Sequence, residues 1–289
     1  MDYPIQSLAP EHFPPLLNEI PQPPTILNYR GSLPPPDVPL LSVVGSRQYT
    51  SYGKAAVAHL IGGLAGYQVG IVSGLAIGID GLAHEAALKH NLYTLAIPGG
   101  GLNDAVLYPA RHKRLAYQIL AAGGGLLSEY QPDQRAATWT FPQRNRLVCG
   151  MCQATLVIEA AAKSGSLITA RMTVDYNREL LVVPGDIFSM MSSGTNQFLK
   201  LGATPVTTAE DIIALLSLSK NTTTSTKQLP LPNLTPEQVT LRTLLTTPLP
   251  TDELIRQSGL PTTQATVALM QLELAGYITL TDGVYRQTN

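Results

Sequence analysis

The chain has 289 residues, 44% hydrophobic and 13% charged, with a formal net charge of −1. So apolar a composition excludes extensive disorder. So nearly neutral a balance excludes a broad basic face that coats duplex nucleic acid, while leaving room for a focused basic pocket. The length suits one α/β domain of about two hundred residues with a small appendage.

No apolar run approaches the roughly twenty residues of a membrane span, and Met1-Asp2-Tyr3-Pro4 begins no basic-then-apolar leader, so the expected compartment is the cytoplasm. Residues 1–39 hold 11 of the 23 prolines, ending in Pro34-Pro35-Pro36. Neither helix nor strand is expected to run far there, and the segment reads as a strap lying on the main domain through Leu16, Leu17, Ile26 and Leu27.

From Leu40 onward strand and helix signals alternate. Residues 40–44 read as a buried strand closed by Gly45-Ser46-Arg47, residues 51–67 as a helix, 69–72 as a strand and 78–90 as a helix. Residues 93–97 make a strand ending in Pro98-Gly99-Gly100-Gly101, followed by a helix at 110–122 and a strand at 125–128. Strands at 152–159 and 180–183 flank a helix at 167–178, and residues 194–213 close the domain as helix, strand and helix. Repeats of this kind specify an extended Rossmann-like, doubly wound parallel sheet over residues 40–216, with ligands at the carboxyl edge of the strands.

Residues 217–234, rich in Ser, Thr and Asn, read as a linker. Residues 235–289 carry three short helical patterns and a hairpin around Asp282-Gly283, a small C-terminal winged helix domain. Its third helix, 262–275, contains no Lys or Arg, and from Thr235 on five acids (Glu237, Asp252, Glu253, Glu273, Asp282) face three arginines (Arg242, Arg256, Arg286). Gln264 and Gln271 are its available base readers, so protein contact is favoured over duplex contact.

The first strand-to-helix turn, Gly45-Ser46-Arg47-Gln48-Tyr49, is not G-x-G-x-x-G, the second strand ends in Ser73-Gly74 without a carboxylate for a ribose, and no G-x-x-x-x-G-K-[ST] occurs. Neither a nicotinamide cofactor nor a P-loop nucleotide is expected. The positive signal lies in Phe141-Pro142-Gln143-Arg144-Asn145-Arg146, two guanidiniums beside an aromatic ring, and in the apolar run 154–159 leading to Lys163-Ser164-Gly165-Ser166-Leu167. A Gly turn opening a helix after a strand leaves backbone N–H groups free for phosphate. Gly45-Ser46-Arg47 adds a hydroxyl, a guanidinium and a pair of N–H groups on the same sheet edge. Phosphate-binding groups beside a stacking ring suit a nucleic-acid strand better than a lone phosphate.

Other residues carry two readings each. Asp80 and His84, one helical turn apart, suit metal binding or proton transfer, against the commoner case of an Asp serving a helix dipole and a packed His. Glu159 reads as a general base or as an ion-pair partner of Lys163 and the arginines. Tyr108-Pro109 and Ser128-Glu129 are pocket borders or plain turns. Cys149-Gly150-Met151-Cys152 has no second pair or His cluster to complete a zinc site and ends a helical segment rather than opening one, so its thiols read as packing groups and no metal is expected.

In chain order, Ile20-Pro21, Tyr29-Arg30-Gly31, Val44-Gly45-Ser46-Arg47, Tyr52-Gly53, Ser73-Gly74-Leu75-Ala76-x-Gly78-Ile79-Asp80-x-x-Ala83-His84, Tyr108-Pro109, Ser128-Glu129, Phe141-Pro142-x-Arg144-Asn145-Arg146, Ser164-Gly165-Ser166-Leu167-x-Thr169-Ala170, Pro184-Gly185 and Gly194-Thr195-Asn196 resemble the DprA (Smf) DNA-processing proteins. The resemblance runs in register from about residue 20 to residue 213. It implies a non-catalytic Rossmann domain without a cofactor, which binds single-stranded DNA in a basic pocket, forms a homodimer and loads the RecA recombinase onto incoming DNA during natural transformation. It further implies DNA contacts by Gly45, Ser46, Arg47, Phe141, Arg144, Asn145, Arg146, Lys163, Ser164, Gly165 and Ser166.

The chain departs from that pattern in two places. Residues ahead of the strap are too few for the helical N-terminal domain of many relatives, and Gly101-Leu102-Asn103 stands where they usually show Gly-Leu-Asp. A rival from another class is a nucleotide-processing, phosphoribohydrolase-like enzyme with Glu159 as base. Its motif, Pro-Gly-Gly-x-Gly-Thr with a following Glu, fails in its second half, where Pro98-Gly99-Gly100-Gly101 runs into Leu102-Asn103.

Overall fold

Successive residues of a strand face opposite sides of a sheet, and the apolar runs of this chain use both sides. Leu41 and Val43 enter one core layer while Leu40 and Val44 enter the other. The computed structural model describes residues 3–220, 234–245, 247–281 and 283–287. The chain divides into two compact units, Met1–Thr223 and Thr224–Asn289.

In the first unit the elements follow as β1 (Gln6–Leu8), β2 (Leu27–Gly31), β3 (Leu40–Val44), α1 (Ser51–Gly62), β4 (Gly70–Ser73), α2 (Ile79–Lys89), β5 (Tyr93–Ala96), α3 (Lys113–Ala121) and β6 (Gly125–Ser128). They continue as α4 (Thr140–Gly150), β7 (Ala154–Val157), α5 (Ser166–Asp175), β8 (Glu179–Val182), α6 (Ser193–Lys200), β9 (Thr204–Pro205) and α7 (Ala209–Leu215). The nine strands form one sheet in the order β1-β2-β6-β5-β4-β3-β7-β8-β9. From β6 to β9 every pairing is parallel, as the alternating pattern requires. Helices α4, α5 and α6 cover one face with Leu147, Leu167 and Phe198; α1, α2 and α7 cover the other with Val57, Ile79 and Ile212, extended by Leu115 and Ile119 of α3.

The proline-rich segment is more than a strap. Residues Leu27–Gly31 form a five-residue strand, β2, that pairs antiparallel with β6, and β1 pairs antiparallel with β2. Prolines stand outside this run, so its N–H groups are free to join the ladder. Leu17 and Leu27 are buried as expected, but Ile26 is 41% exposed, and Phe13 and Ile20 supply the remaining anchors. Arg30, 6% exposed, donates to the Tyr3 and Leu102 carbonyls and to Asp104 (2.7 Å), which fastens β2 to the turn after β5.

The second unit holds α8 (Pro236–Leu244), β10 (Leu249–Pro250), α9 (Thr251–Ser258), α10 (Thr262–Leu274), β11 (Ile278–Thr281) and β12 (Val284–Gln287), with its sheet in the order β10-β12-β11. Leu241, Leu254, Leu269, Leu272, Ile278 and Tyr285 make its core, the helix-plus-hairpin packing of a winged helix. The linker expectation at 217–234 falls largely outside the described residues. Among the described residues no helix is long and apolar enough to cross a membrane.

Beneath the sheet's functional edge, His84 of α2 is fully buried. The Thr94 hydroxyl lies within hydrogen-bond distance of both the Ile71 carbonyl (3.0 Å) and His84 Nδ1 (2.7 Å), and His84 Nε2 is buried with no hydrogen-bond partner at that distance among the described residues. Burial pushes the imidazole down to about 3 from an ordinary 6.5, so between those limits the unfolded chain takes up a proton that the folded chain refuses. The contribution of neutral His84 to stability is whole above its ordinary value and drains away, at up to ~1.4 kcal/mol per pH unit, as pH falls toward its folded value. Denaturant unfolding at about pH 7 and about pH 5 is expected to show this loss in the wild type and a flatter dependence in His84→Asn. An equal loss in both would place the acid sensitivity elsewhere.

Candidate nucleic-acid interface

The chain leaves β3 for β4, β5 and β6 on one side and returns to β7 and β8 on the other. The loops after β3 and β7 therefore part at their carboxyl ends, where an open α/β sheet forms its crevice. A cleft of about 590 Å³ lies there. Gly45, Ser46 and Arg47 line it from the β3 loop, Lys163, Ser164, Gly165 and Ser166 from the β7 loop, and Phe141, Arg144 and Asn145 from α4.

Glu159 holds these loops together. Its carbonyl accepts the Ser46 N–H (2.8 Å), and its carboxylate, on a residue 2% exposed, accepts from the Thr50 N–H (2.9 Å) and hydroxyl (2.5 Å). Thr50 in turn accepts the Gly53 N–H (3.2 Å) as the N-cap of α1. Both Glu159 oxygens are thus engaged in structure. Glu159 is absent from the lining of the cleft, borders a separate one with Tyr52 and Asp186, and makes no ion pair with Lys163 among the described residues. Neither reading offered for it by the sequence describes its place.

The cations divide by burial. Arg47 and Lys163 are exposed and make no ion pair among the described residues, and the Arg47 guanidinium lies 5.2 Å from the centroid of the Phe141 ring. The N–H groups of Arg47, Lys163 and Gly165 have no hydrogen-bond partner among the described residues. Arg144, 4% exposed, builds the floor: it donates to the carbonyls of Gly74 (2.5 Å) and Ile97, and its Nε donates to Asn145 Oδ1 (3.2 Å), leaving the Asn145 amide N–H pair available. Burial pushes this guanidinium down to about 10, so it is still charged at neutral pH.

Asp80 joins Arg144 on the floor, accepting the Gly74 N–H (3.1 Å). Burial raises its carboxyl above the ordinary value, against the pull of Arg144 and the backbone donors. Gly74 separates the two groups, and a Cβ there would lie 2.6 Å from both Arg144 Nη2 and Asp80 Oδ2, so no side chain is accommodated.

Arg146 is not part of the cleft. It pairs with Glu129 and donates to the Gln22 carbonyl (2.7 Å), which fastens the N-terminal segment to α4. At 100° per residue, side chains two apart on a helix diverge by about 200°, so Arg144 and Arg146 cannot share a face. Asp80 and His84 also part company, one on Gly74 and the other on Thr94.

At the turn after β5, Asn103 donates to Asp133 (2.7 Å) and the carboxylate that engages Arg30 is Asp104. Ser128 donates to the Gly100 carbonyl (2.8 Å), and Tyr108 packs its ring 5.8 Å from that of Phe141. Cys149 and Cys152 are buried free thiols, Cys149 being pushed up to about 12 by burial, so they serve packing. Sequence reasoning missed the place of Asp80 in the cleft floor and that of Met191 in its lining; loop proximity of this kind leaves no periodic signal.

Residues 5–217 match the family model of DNA recombination-mediator protein A, and residues 225–283 match that of the DprA winged helix domain. The chain belongs to the DprA family. Protein Smf of Escherichia coli is 38% identical over 260 residues, covering 85% of this chain and 67% of that one. The X-ray structure of DNA processing protein A from Streptococcus pneumoniae superposes with a TM-score of 0.68 at 37% identity over 74% of each chain. DNA processing protein A from Helicobacter pylori, solved for its single-stranded DNA binding mode, superposes with a TM-score of 0.66 at 30% identity over 74% of this chain and 96% of that one.

Burial separates the arginines by expected effect. Arg146→Ala strands the Glu129 carboxylate, whose side chain is 10% exposed, and is expected to cost about 2–4 kcal/mol in urea unfolding, whereas Arg47→Ala is expected to stay within about 0.5 kcal/mol of wild type. Equal stabilities would contradict this division.

Proposed function

We propose that this protein binds single-stranded DNA in the switch-point cleft, without catalysing a reaction on it. The observation that carries this reading is the conjunction, in one cleft, of two exposed cations, Arg47 and Lys163, with backbone N–H groups and an aromatic ring, the cations unpaired and the N–H groups unengaged among the described residues. Arg47, Lys163, the Asn145 amide and the N–H groups of Arg47, Lys163 and Gly165 hold phosphates, while Gly45-Ser46 and the two serines beside Gly165 shape the turns, the Ser46 hydroxyl donating to the Gln48 carbonyl (2.7 Å). Arg144 shapes the floor and adds its charge, and Phe141 stacks a base. The single-strand binding described for the Helicobacter pylori relative supports the assignment. A cleft of this size admits one strand and not two, so duplex binding is weaker, and contacts to phosphate and ring faces make sequence preference slight.

In fluorescence anisotropy with labelled oligonucleotides, Arg47→Ala is expected to lower affinity for all single-stranded sequences alike. It should also flatten the log–log salt dependence by about 0.7 for each phosphate that is no longer neutralised. Unchanged affinity and slope would overturn the assignment of the cleft.

The same proposal extends to a protein that shields incoming DNA and loads the RecA recombinase on it during natural transformation, acting as a homodimer in the cytoplasm. Support comes from the family and from an exposed apolar stretch at Ile187 (82%), Phe188 (90%) and Met190 (81%), a cluster suited to protein contact. Phe188→Glu is expected to reduce self-association in sedimentation, or recombinase capture, while leaving single-strand affinity intact. A variant unchanged in both would remove this stretch from the partner surfaces.

A further inference from the structure

Trp139 is the chain's one tryptophan and stands 58% exposed, immediately ahead of α4. Its one ring contact among the described residues is T-shaped, with Tyr130 at 6.0 Å. A single exposed ring is ordinary on a protein surface, and its position relative to the sheet gives this one meaning.

Loops at the carboxyl edge follow the strand order. The Lys163 loop stands over β7, Gly45-Ser46-Arg47 over β3 and Gly74 over β4. Over β5 lies Gly99, where a Cβ would meet the Phe141 ring 2.5 Å away, and beyond β6 comes Tyr130 with Trp139 against it. From β7 to β6 is four strand spacings, about 19 Å along a line crossing the strands. The cleft occupies the first part of that line, and the Tyr108 ring, 46% exposed and beside Phe141, leads out of it.

Two arginines stand beside this line, while its nearby carboxylates are engaged, Asp133 by Asn103 (2.7 Å), Glu129 by Arg146 and Asp80 by the Gly74 N–H. Arg111 follows Tyr108-Pro109, and Arg135 lies in the loop whose Gln134 carbonyl accepts the Gly101 N–H (2.8 Å); both arginines are exposed and make no ion pair among the described residues. Exposed aromatic rings interleaved with unpaired guanidiniums are the surface chemistry of a single-strand track.

We propose that the track continues past Phe141 over Tyr108 to Trp139, so that Trp139 stacks on a base of the strand whose phosphates lie in the cleft. This rests on the single-strand reading of the cleft and fixes the direction and extent of the bound strand, from the β7 loop toward β6. Arg111 and Arg135 flank the backbone of the continuing segment.

Because Trp139 is unique, its emission reports the contact without a label. Unlabelled homothymidine of about twelve nucleotides is expected to quench it in step with binding followed by anisotropy of a labelled copy. Trp139→Ala and Trp139→Leu are both expected to lose about tenfold or more in affinity for this oligonucleotide while changing affinity for one of about four nucleotides less than about twofold, and Trp139→Phe is expected to retain most of it. Trp139→Leu keeps an apolar side chain against Tyr130, so weaker binding by this variant reports the missing stacking rather than a packing defect.

Binding that depends on Arg47, with unmoved Trp139 emission or with undiminished affinity in Trp139→Ala and Trp139→Leu, would overturn this inference and leave the cleft assignment standing. Failure of the wild type to bind, or equal binding by Arg47→Ala, would overturn both.

Discussion

Everything at the carboxyl edge depends on how Glu159 is held. A carboxylate that is 2% exposed is costly unless its oxygens are met, and Thr50 meets both with its N–H and its hydroxyl. The same residue's carbonyl takes the Ser46 N–H, so one side chain and its own backbone fix the end of β7, the turn after β3 and the start of α1 in a single geometry. Gly53 lies so close under this carboxylate that a Cβ would overlap it, which is why the first turn of α1 carries no side chain there. A crevice at a switch point arises from divergence of two loops, and divergence alone would leave both free to move. The Glu159 staple makes it a fixed cleft.

A second constraint separates charge for binding from charge for structure. Arg144 is buried with Nε and Nη1 donating to Asn145 and to the Gly74 and Ile97 carbonyls, while Nη2 has no partner among the described residues; its charge persists at neutral pH and faces the cleft with Asp80 as a partial counterweight. Arg47 and Lys163 spend almost nothing on the fold. A chain with a net charge of −1 can in this way present a locally positive cleft, because among the described residues the cations that line it are either unpaired or paired only in part, while Arg30, Arg146 and Arg178 lie outside its lining and are neutralised by carboxylates.

Much of this architecture was legible in the sequence. Alternating runs with glycine-rich turns specify parallel strands and crossover helices, and the small winged helix follows from three helical patterns and a hairpin. What escaped has physical causes. Proline density around Leu27–Gly31 masked five residues that contain no proline and so complete an antiparallel edge. Arg144 and Arg146 were read together because they are neighbours in a motif, whereas helix geometry sends one to the cleft and the other to Glu129. Glu159 presented as a candidate base because a carboxylate ending an apolar strand looks the same in sequence whether its oxygens face solvent or Thr50. Side-chain direction within a motif is set by tertiary partners, and those lie 109 residues away for Glu159 and 70 for Arg144.

The sheet order also explains why the candidate residues come from such distant parts of the chain. In a parallel sheet all strands present the same end on one edge, so each loop on that edge contributes to a single line whose order is the order of strands in space rather than in sequence. Here the line reads β7, β3, β4, β5, β6, drawing on residues near 163, 46, 74, 99 and 130 in turn. A compact ligand would need only the crossover between β3 and β7. An extended polymer with a repeating charge and a repeating planar group can use every step, because strand spacing is regular and each step can offer an N–H group, a cation or a ring. Cleft and aromatic edge are therefore consequences of one topology, and the position of an exposed indole at the far end of that line is what distinguishes a track from a pocket.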